Sequence, residues 1–263
     1  MPIGIFDSGI GGLTVMKEII KQLPEEHIIY LGDTARVPYG VRSPGTVLKY
    51  SLENARFLML KGIKVLVVAC NTSSAVSLKI LGEKLPIPVI GVVEPGARAA
   101  VKMTKIKRIA VIGTETTIKS GSYELAIKSI DDSIEVSGVA CPLFVPMIEE
   151  GWLGGEVVNL TAEKYLSLIK RDSADTLVLG CTHYPMIKHV IKDVVNIPLI
   201  DSAIETAKEV KSVLQQNGIL HNGKGPVSRT FFVTDSPKKF TIIGEKFLDH
   251  TISNISKINL EDI

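Results

Sequence analysis

Two cysteines, Cys70 and Cys181, each end a short run of β-branched and aliphatic residues. The runs are Val65-Leu66-Val67-Val68-Ala69-Cys70-Asn71-Thr72 and Thr176-Leu177-Val178-Leu179-Gly180-Cys181-Thr182-His183. An apolar run of this length bounded by polar residues reads as a strand buried on both faces. In an open α/β sheet ligands collect outside the carboxyl ends of the strands, so both thiols are expected at a ligand site. A helix N-terminus just after each cysteine would favour the thiolate through free N–H groups and the helix dipole. Starting from a pKa of about 8.5, a modest field then makes a usable base near neutral pH. A lone cysteine in a buried strand is more often a small apolar side chain. Two in equivalent positions, followed by Asn-Thr and by Thr, point to chemistry instead. Cys141 has no counterpart and reads as a buried residue.

Other polar groups fall at expected strand ends. Asp7 closes the first apolar run and should lie beside Cys70, while Glu149 and His183 are placed to serve Cys181. Each alone is as readily a helix cap or a solvated side chain. Together they describe two thiols, each with a proton-handling neighbour. Zinc is a rival use of such residues, but Cys181-x-His183 is a poor chelate spacing. A redox pair is another, though the chain has no CxxC and the two cysteines stand 111 positions apart. The Asp7-Ser8-Gly9-Ile10-Gly11-Gly12 turn resembles a nucleotide loop without matching either glycine-rich fingerprint, and Asp7 would repel a phosphate.

Composition narrows the field. With 263 residues, 45% of them hydrophobic, the chain can bury a sizeable core. Thirty basic and 28 acidic residues give a net charge of +2, without the concentrated basic face that nucleic acid or an anionic membrane would need. The densest basic run, Lys102 to Arg108, reads as the solvated end of a helix. No signal-peptide pattern or membrane-length apolar window occurs, so a cytoplasmic protein with free thiols is expected.

The elements that must hold these residues alternate. Strands are predicted at 2–7, 27–31, 65–69 and 87–92, with helices at 13–23, 44–61, from Asn71 to about Leu85, and from about Ala97. The pattern then restarts: a strand at 108–113, a polar turn at 114–117, a strand at 134–137, a Pro-rich loop at 140–150, a helix at 155–170, a strand at 176–180, a strand at 197–200 and a helix from Ala203. Ile3 to Cys70 spans 67 positions and Ile109 to Cys181 spans 72, which supports an internal duplication. The remainder, with a Gly-rich turn at 222–225, a strand at 229–234 and a helix at 237–248, is too small for a core of its own. The expected fold is α/β, two pseudosymmetric doubly wound parallel-sheet lobes with the site in the cleft between them. Residues 1–97 plus 206–263 would form the first lobe and 98–205 the second.

At the motifs Phe6-Asp7-Ser8-Gly9, Pro38-Tyr39-Gly40, Ala69-Cys70-Asn71-Thr72, Glu94-Pro95-Gly96, Cys141-Pro142 through Glu149, and Gly180-Cys181-Thr182-His183-Tyr184-Pro185, the chain resembles the glutamate racemases of the aspartate/glutamate racemase family. The resemblance covers nearly the whole chain. It implies cofactor-independent interconversion of L- and D-glutamate, supplying D-glutamate for peptidoglycan synthesis. It implies that Cys70 deprotonates D-glutamate with help from Asp7, and that Cys181 deprotonates L-glutamate with help from Glu149 and His183. Substrate ligands by the same similarity are Asp7, Ser8, Tyr39, Gly40, Asn71, Thr72, Thr182 and His183, with Thr117 a weaker candidate and Asp33 ranked below Asp7. Family members are commonly homodimers. A sister racemase acting on aspartate, a two-lobed binding protein without turnover, and a metal or redox protein are the alternatives.

Overall fold

The computed structural model describes residues 1–223 and 225–262; Lys224 of the expected Gly-rich turn lies outside them. The first sheet contains strands β1 (Ile3–Asp7), β2 (Ile28–Gly32), β3 (Val65–Val68) and β4 (Val89–Gly91), and the second contains β5 (Arg108–Gly113), β6 (Glu135–Ala140), β7 (Thr176–Gly180) and β8 (Leu199–Asp201). Two late strands, β9 (Arg229–Val233) and β10 (Ile255–Lys257), add to the edge of the first sheet beside β2. The resulting orders are β10-β9-β2-β1-β3-β4 and β6-β5-β7-β8, with every pairing parallel. Within each set of four, the sequence-first strand lies between the second and third. The chain therefore repeats one doubly wound topology twice, as the near-equal offsets implied.

This topology brings the chemistry together. Phe6 pairs with Val68 and Gly113 with Gly180, so the tip of β1 adjoins Cys70 and the tip of β5 adjoins Cys181. β1 and β7 are buried along their whole length, as continuous apolar runs covered by helices on both faces should be. One apolar cluster runs from Ile3, Ile5 and Leu13 through Ala110, Ile112 and Leu179 to Ala207 and Leu214, tying both sheets together. Helix Leu13–Gln22 packs on helix Ser202–Gln216 across that junction.

Several elements differ from the sequence expectation. Helix Val93–Met103 begins on the Glu94-Pro95-Gly96 stretch, not after it, because Pro95 stands in the first turn where its missing N–H costs nothing. The polar turn after β5 is a short helix, Glu115–Lys119, capped by Thr114, and a further helix, Ser122–Lys128, follows it. The Pro-rich loop contains helix Phe144–Glu149, again with its proline in the first turn. β6 extends to Ala140 and β8 starts at Leu199. Helix Lys188–Val195 and strand β10 have no sequence-based counterpart. The Lys102–Arg108 run begins as the exposed end of helix Val93–Met103, as expected, and continues through a bend to the first residue of β5. Among the described residues, no helix is long and apolar enough to cross a membrane.

Candidate active site

Cys70 occupies the N-cap of helix Asn71–Lys84, in extended backbone, so the expected cap at Asn71-Thr72-Ser73-Ser74 is replaced by the cysteine itself. Its Sγ lies 3.6 Å from the Ser8 hydroxyl. The helix start does not prevail at this thiol. Burial and the nearby Asp7 carboxylate push it up to about 11, outweighing the Ser73 N–H and the Ser8 hydroxyl. Cys181 differs more from expectation, because a 3₁₀ turn, Tyr184–Ile187, follows it and the α-helix begins only at Lys188. Its partner is a side chain instead: the His183 Nδ1 stands 3.8 Å from Sγ.

His183 is 3% exposed, and its Nε2 meets Glu149 Oε1 at 3.1 Å. Burial works against the imidazolium, but the hydrogen bonds to Cys181 and Glu149, with the electrostatic pull of both groups, outweigh it and raise the ring to about 10. Glu149 is held below the usual carboxylate range: its partial burial is overcome by His183 and by the Lys239 ammonium. The second thiol thus has a charged, hydrogen-bonded acid as its neighbour. That is a proton donor set against sulfur.

Asp7 joins the two halves. It is wholly buried, its Oδ2 accepts from the Gly9 N–H at 2.9 Å, and its Oδ1 faces the Thr182 hydroxyl at 3.5 Å. Burial raises its carboxyl, while His183 and the Gly9 and Gly12 N–H groups pull the other way. The carboxylate therefore acts on Cys70 in its own lobe and on the Thr182-His183 pair of the other. The glycine-rich turn makes this approach possible. A Cβ at Gly11 would come 2.3 Å from Thr182 Oγ1 and 2.5 Å from His183 Nδ1, and one at Gly12 would meet Asp7 Cβ at 2.5 Å. Gly11 thus serves close contact between lobes and Gly12 close packing against Asp7 within the first, where the sequence alone had suggested only a weak phosphate loop.

The remaining expected residues gather around this centre. Thr72 Oγ1 lies 3.0 Å from Thr114 and 3.3 Å from Thr117, which are themselves 3.0 Å apart. Three hydroxyls from both lobes thus form one cluster, and Thr114, absent from the sequence expectation, is part of it. Its only sequence signal was Thr at i and i+3 after a strand, the pattern of a helix cap. Gly40 docks on the same segment: Thr116 Oγ1 donates to its carbonyl at 2.9 Å, and a Cβ there would strike Thr114. Tyr39 is buried with its hydroxyl given to Asp33 and accepting from Asn54, so Asp33 braces this loop together with Arg36 and Thr234. Asn71 is 2% exposed, and its Nδ2 has no partner among the described residues. Cys141 is fully buried and pushed up by burial. All three thiols are free. A cavity of about 320 Å³ lined by Gly40, Thr114 and Glu149 among others opens beside the cluster.

Two strand-tip thiols with separate acid partners, held in twin lobes, suit proton removal and return at one carbon. A profile of the Asp/Glu/hydantoin racemases matches residues 3–210. The chain belongs to that family. A glutamate racemase of Geobacter metallireducens is 52% identical over 98% of this chain and 97% of its own length, and one of a Sulfurihydrogenibium strain is 47% identical over 100% and 99%. The crystal structure of the Francisella tularensis glutamate racemase in complex with D-glutamate superposes with a TM-score of 0.95 at 41% identity, covering 100% of this chain and 98% of that one. A racemase lineage accounts for the duplicated topology, since a reaction that inverts one stereocentre asks for similar groups on two sides.

Proposed function

We propose that this racemase interconverts L- and D-glutamate by a two-base mechanism in which Cys70 and Cys181 work from opposite sides of the substrate Cα. The observation that carries the proposal is the Asp7 carboxylate, which raises Cys70 and at the same time contacts Thr182 and attracts His183 beside Cys181. The proton partners of both thiols thereby form one continuous cluster.

From D-glutamate, the Cys70 thiolate takes the Cα proton, forming an S–H bond as the C–H electron pair moves toward the α-carboxylate. The Cys181 thiol then gives its proton to the opposite face, leaving Cys181 as thiolate and the product as L-glutamate. The reverse reaction exchanges the roles. At pH 7 a thiol near pKa 11 is ionised about once in ten thousand molecules. The substrate's own ammonium, entering beside Asp7, brings the positive charge that stabilises the thiolate. Thr72, Thr117, Thr182, Ser8, the free Asn71 amide and the backbone at Tyr39-Gly40 supply donors for the carboxylates, where charge develops in the transition state. Asp7 and His183 return the thiols to their starting protonation.

On this reading the protein acts in the cytoplasm as a homodimer and supplies D-glutamate to peptidoglycan synthesis. It also divides the chain into lobes of residues 1–97 plus 206–263 and 98–205, which the pairing of β9 with β2 supports.

The test is incubation of the purified chain with L-glutamate in deuterated water without added cofactor. Cα-deuterated D-glutamate is the expected product, and its absence overturns the proposal. A substrate panel including aspartate should show turnover of glutamate alone.

A further inference from the structure

We propose that Tyr123 is a positioning residue for the substrate: its hydroxyl holds the Asn71 side chain so that the free Nδ2 faces a glutamate carboxylate. The inference rests on the reading of Asn71 as a substrate ligand. Tyr123 comes from helix Ser122–Lys128 of the second lobe and is 3% exposed. Its O–H donates to Asn71 Oδ1 at 2.7 Å, across 52 positions of sequence and from one lobe to the other. Asn71 directly follows Cys70 and opens the helix that the cysteine caps.

A primary amide can turn over and exchange its oxygen for its nitrogen with little change of shape. In one orientation it offers two N–H donors to an anion, and in the other it offers a carbonyl that repels it. In the structure the Tyr123 O–H engages the oxygen, which leaves Nδ2 as the free end of the amide. Burial raises its phenol, so the group stays protonated and remains a donor. With Oδ1 engaged, the buried Nδ2 is left without a partner among the described residues, a costly state that an incoming carboxylate relieves.

The ring is seated as tightly as its role requires. A Cβ at Gly180 would stand 3.2 Å from Tyr123 Cε2, and one at Gly96 would contact both the Tyr123 ring and hydroxyl and the Cβ of Ser202 at 3.4 to 3.5 Å. Gly96 lies in helix Val93–Met103, which carries the chain out of the first lobe, and Ser202 starts the helix that carries it back. The hydroxyl that orients Asn71 therefore sits where the chain crosses between lobes in both directions. The same side chain thus bonds Asn71 of the first lobe and packs beside both crossings.

The experiment compares the full-length wild type with Tyr123→Phe, Asn71→Ala and the double variant, measuring racemisation from each enantiomer. Tyr123→Phe is expected to fold with an unchanged circular dichroism spectrum and to raise KM for both enantiomers about fivefold to tenfold, while kcat changes less than about twofold. Because Tyr123 acts through Asn71, the double variant should be no worse than Asn71→Ala alone. Unchanged KM in Tyr123→Phe, a loss confined to kcat, or multiplied effects in the double variant would overturn the inference while leaving the racemase reading intact. A wild-type chain that does not racemise glutamate overturns both.

Discussion

Cys70 stands in a buried pocket next to a carboxylate, whereas Cys181 stands next to an imidazole raised to about 10, so the two thiols meet opposite local charges. Asp7→Asn removes the charge beside Cys70. Its thiol should ionise at lower pH, seen as an acid-ward shift in the pH dependence of Cys70 alkylation, with racemisation reduced at least about tenfold because the acid-base partner is gone. Replacing Cys181 by alanine should abolish racemisation yet leave slow exchange of the Cα proton of D-glutamate into deuterated solvent, and Cys70→Ala should do the same for L-glutamate only. Full racemisation by either single variant would contradict the two-base scheme. The His183–Glu149 pair also reports through stability. The folded His183 value lies above its ordinary 6.5, so its contribution is complete below about pH 6.5 and is lost as pH rises toward 10. Glu149, held low, contributes above its ordinary value and loses that contribution in acid. Glu149→Gln should therefore flatten the fall in thermal midpoint between pH 6.5 and 10, as calorimetry at several pH values would record. Both thiols and Asp7 were legible in the sequence because each ends an apolar run. Thr114 and Tyr123 were not, since each looks like a helix cap or an ordinary aromatic until a partner in the other lobe is in place.

At the scale of elements, the glycine-rich turn after β1 decides how closely the lobes meet. Gly11→Ala places a methyl group against Thr182 and His183, which are backed by the packed core and cannot yield without moving Cys181. A loss of about 1–3 kcal/mol in stability and of most activity is expected. Gly45→Ala, in the first turn of helix Pro44–Leu60 with nothing nearby, should change stability by less than about 1 kcal/mol. Chemical denaturation of both variants checks the contrast. Strands such as β5 and β7, and the helix from Pro237 to Leu248, could be read to the residue because long apolar periods and flanking Gly or Pro are local signals. The helix at Phe144–Glu149 could not, because a proline in a short segment reads as loop although the first helical turn tolerates it. β6 was read as ending at Ser137, but it continues through Gly138, where a Cβ would crowd Ile118, to Ala140.

Over the whole molecule, the return of the chain to the first sheet depends on a buried clasp. Lys64 Nζ and Glu26 Oε2 pair at 2.6 Å, Lys64 donates to the Ile219 carbonyl, and Glu26 accepts from the His221 N–H. Lys64→Met leaves Glu26 buried without its cation and should cost about 3 kcal/mol, part of which the double variant with Glu26→Gln recovers. The sequence by itself determined the alternation of strands and helices, the duplicated topology and the strand-tip position of both thiols, because run length, period and turn residues act over a few neighbouring positions. Only the tertiary structure decided that Asp7 reaches Thr182 across 175 positions, that Thr72 meets Thr114 across 42, and that the thiol electrostatics are ruled by burial and side-chain partners where a helix dipole was expected. Those contacts exist only once two lobes have closed on each other, and the charge state of a buried group is set by everything packed around it.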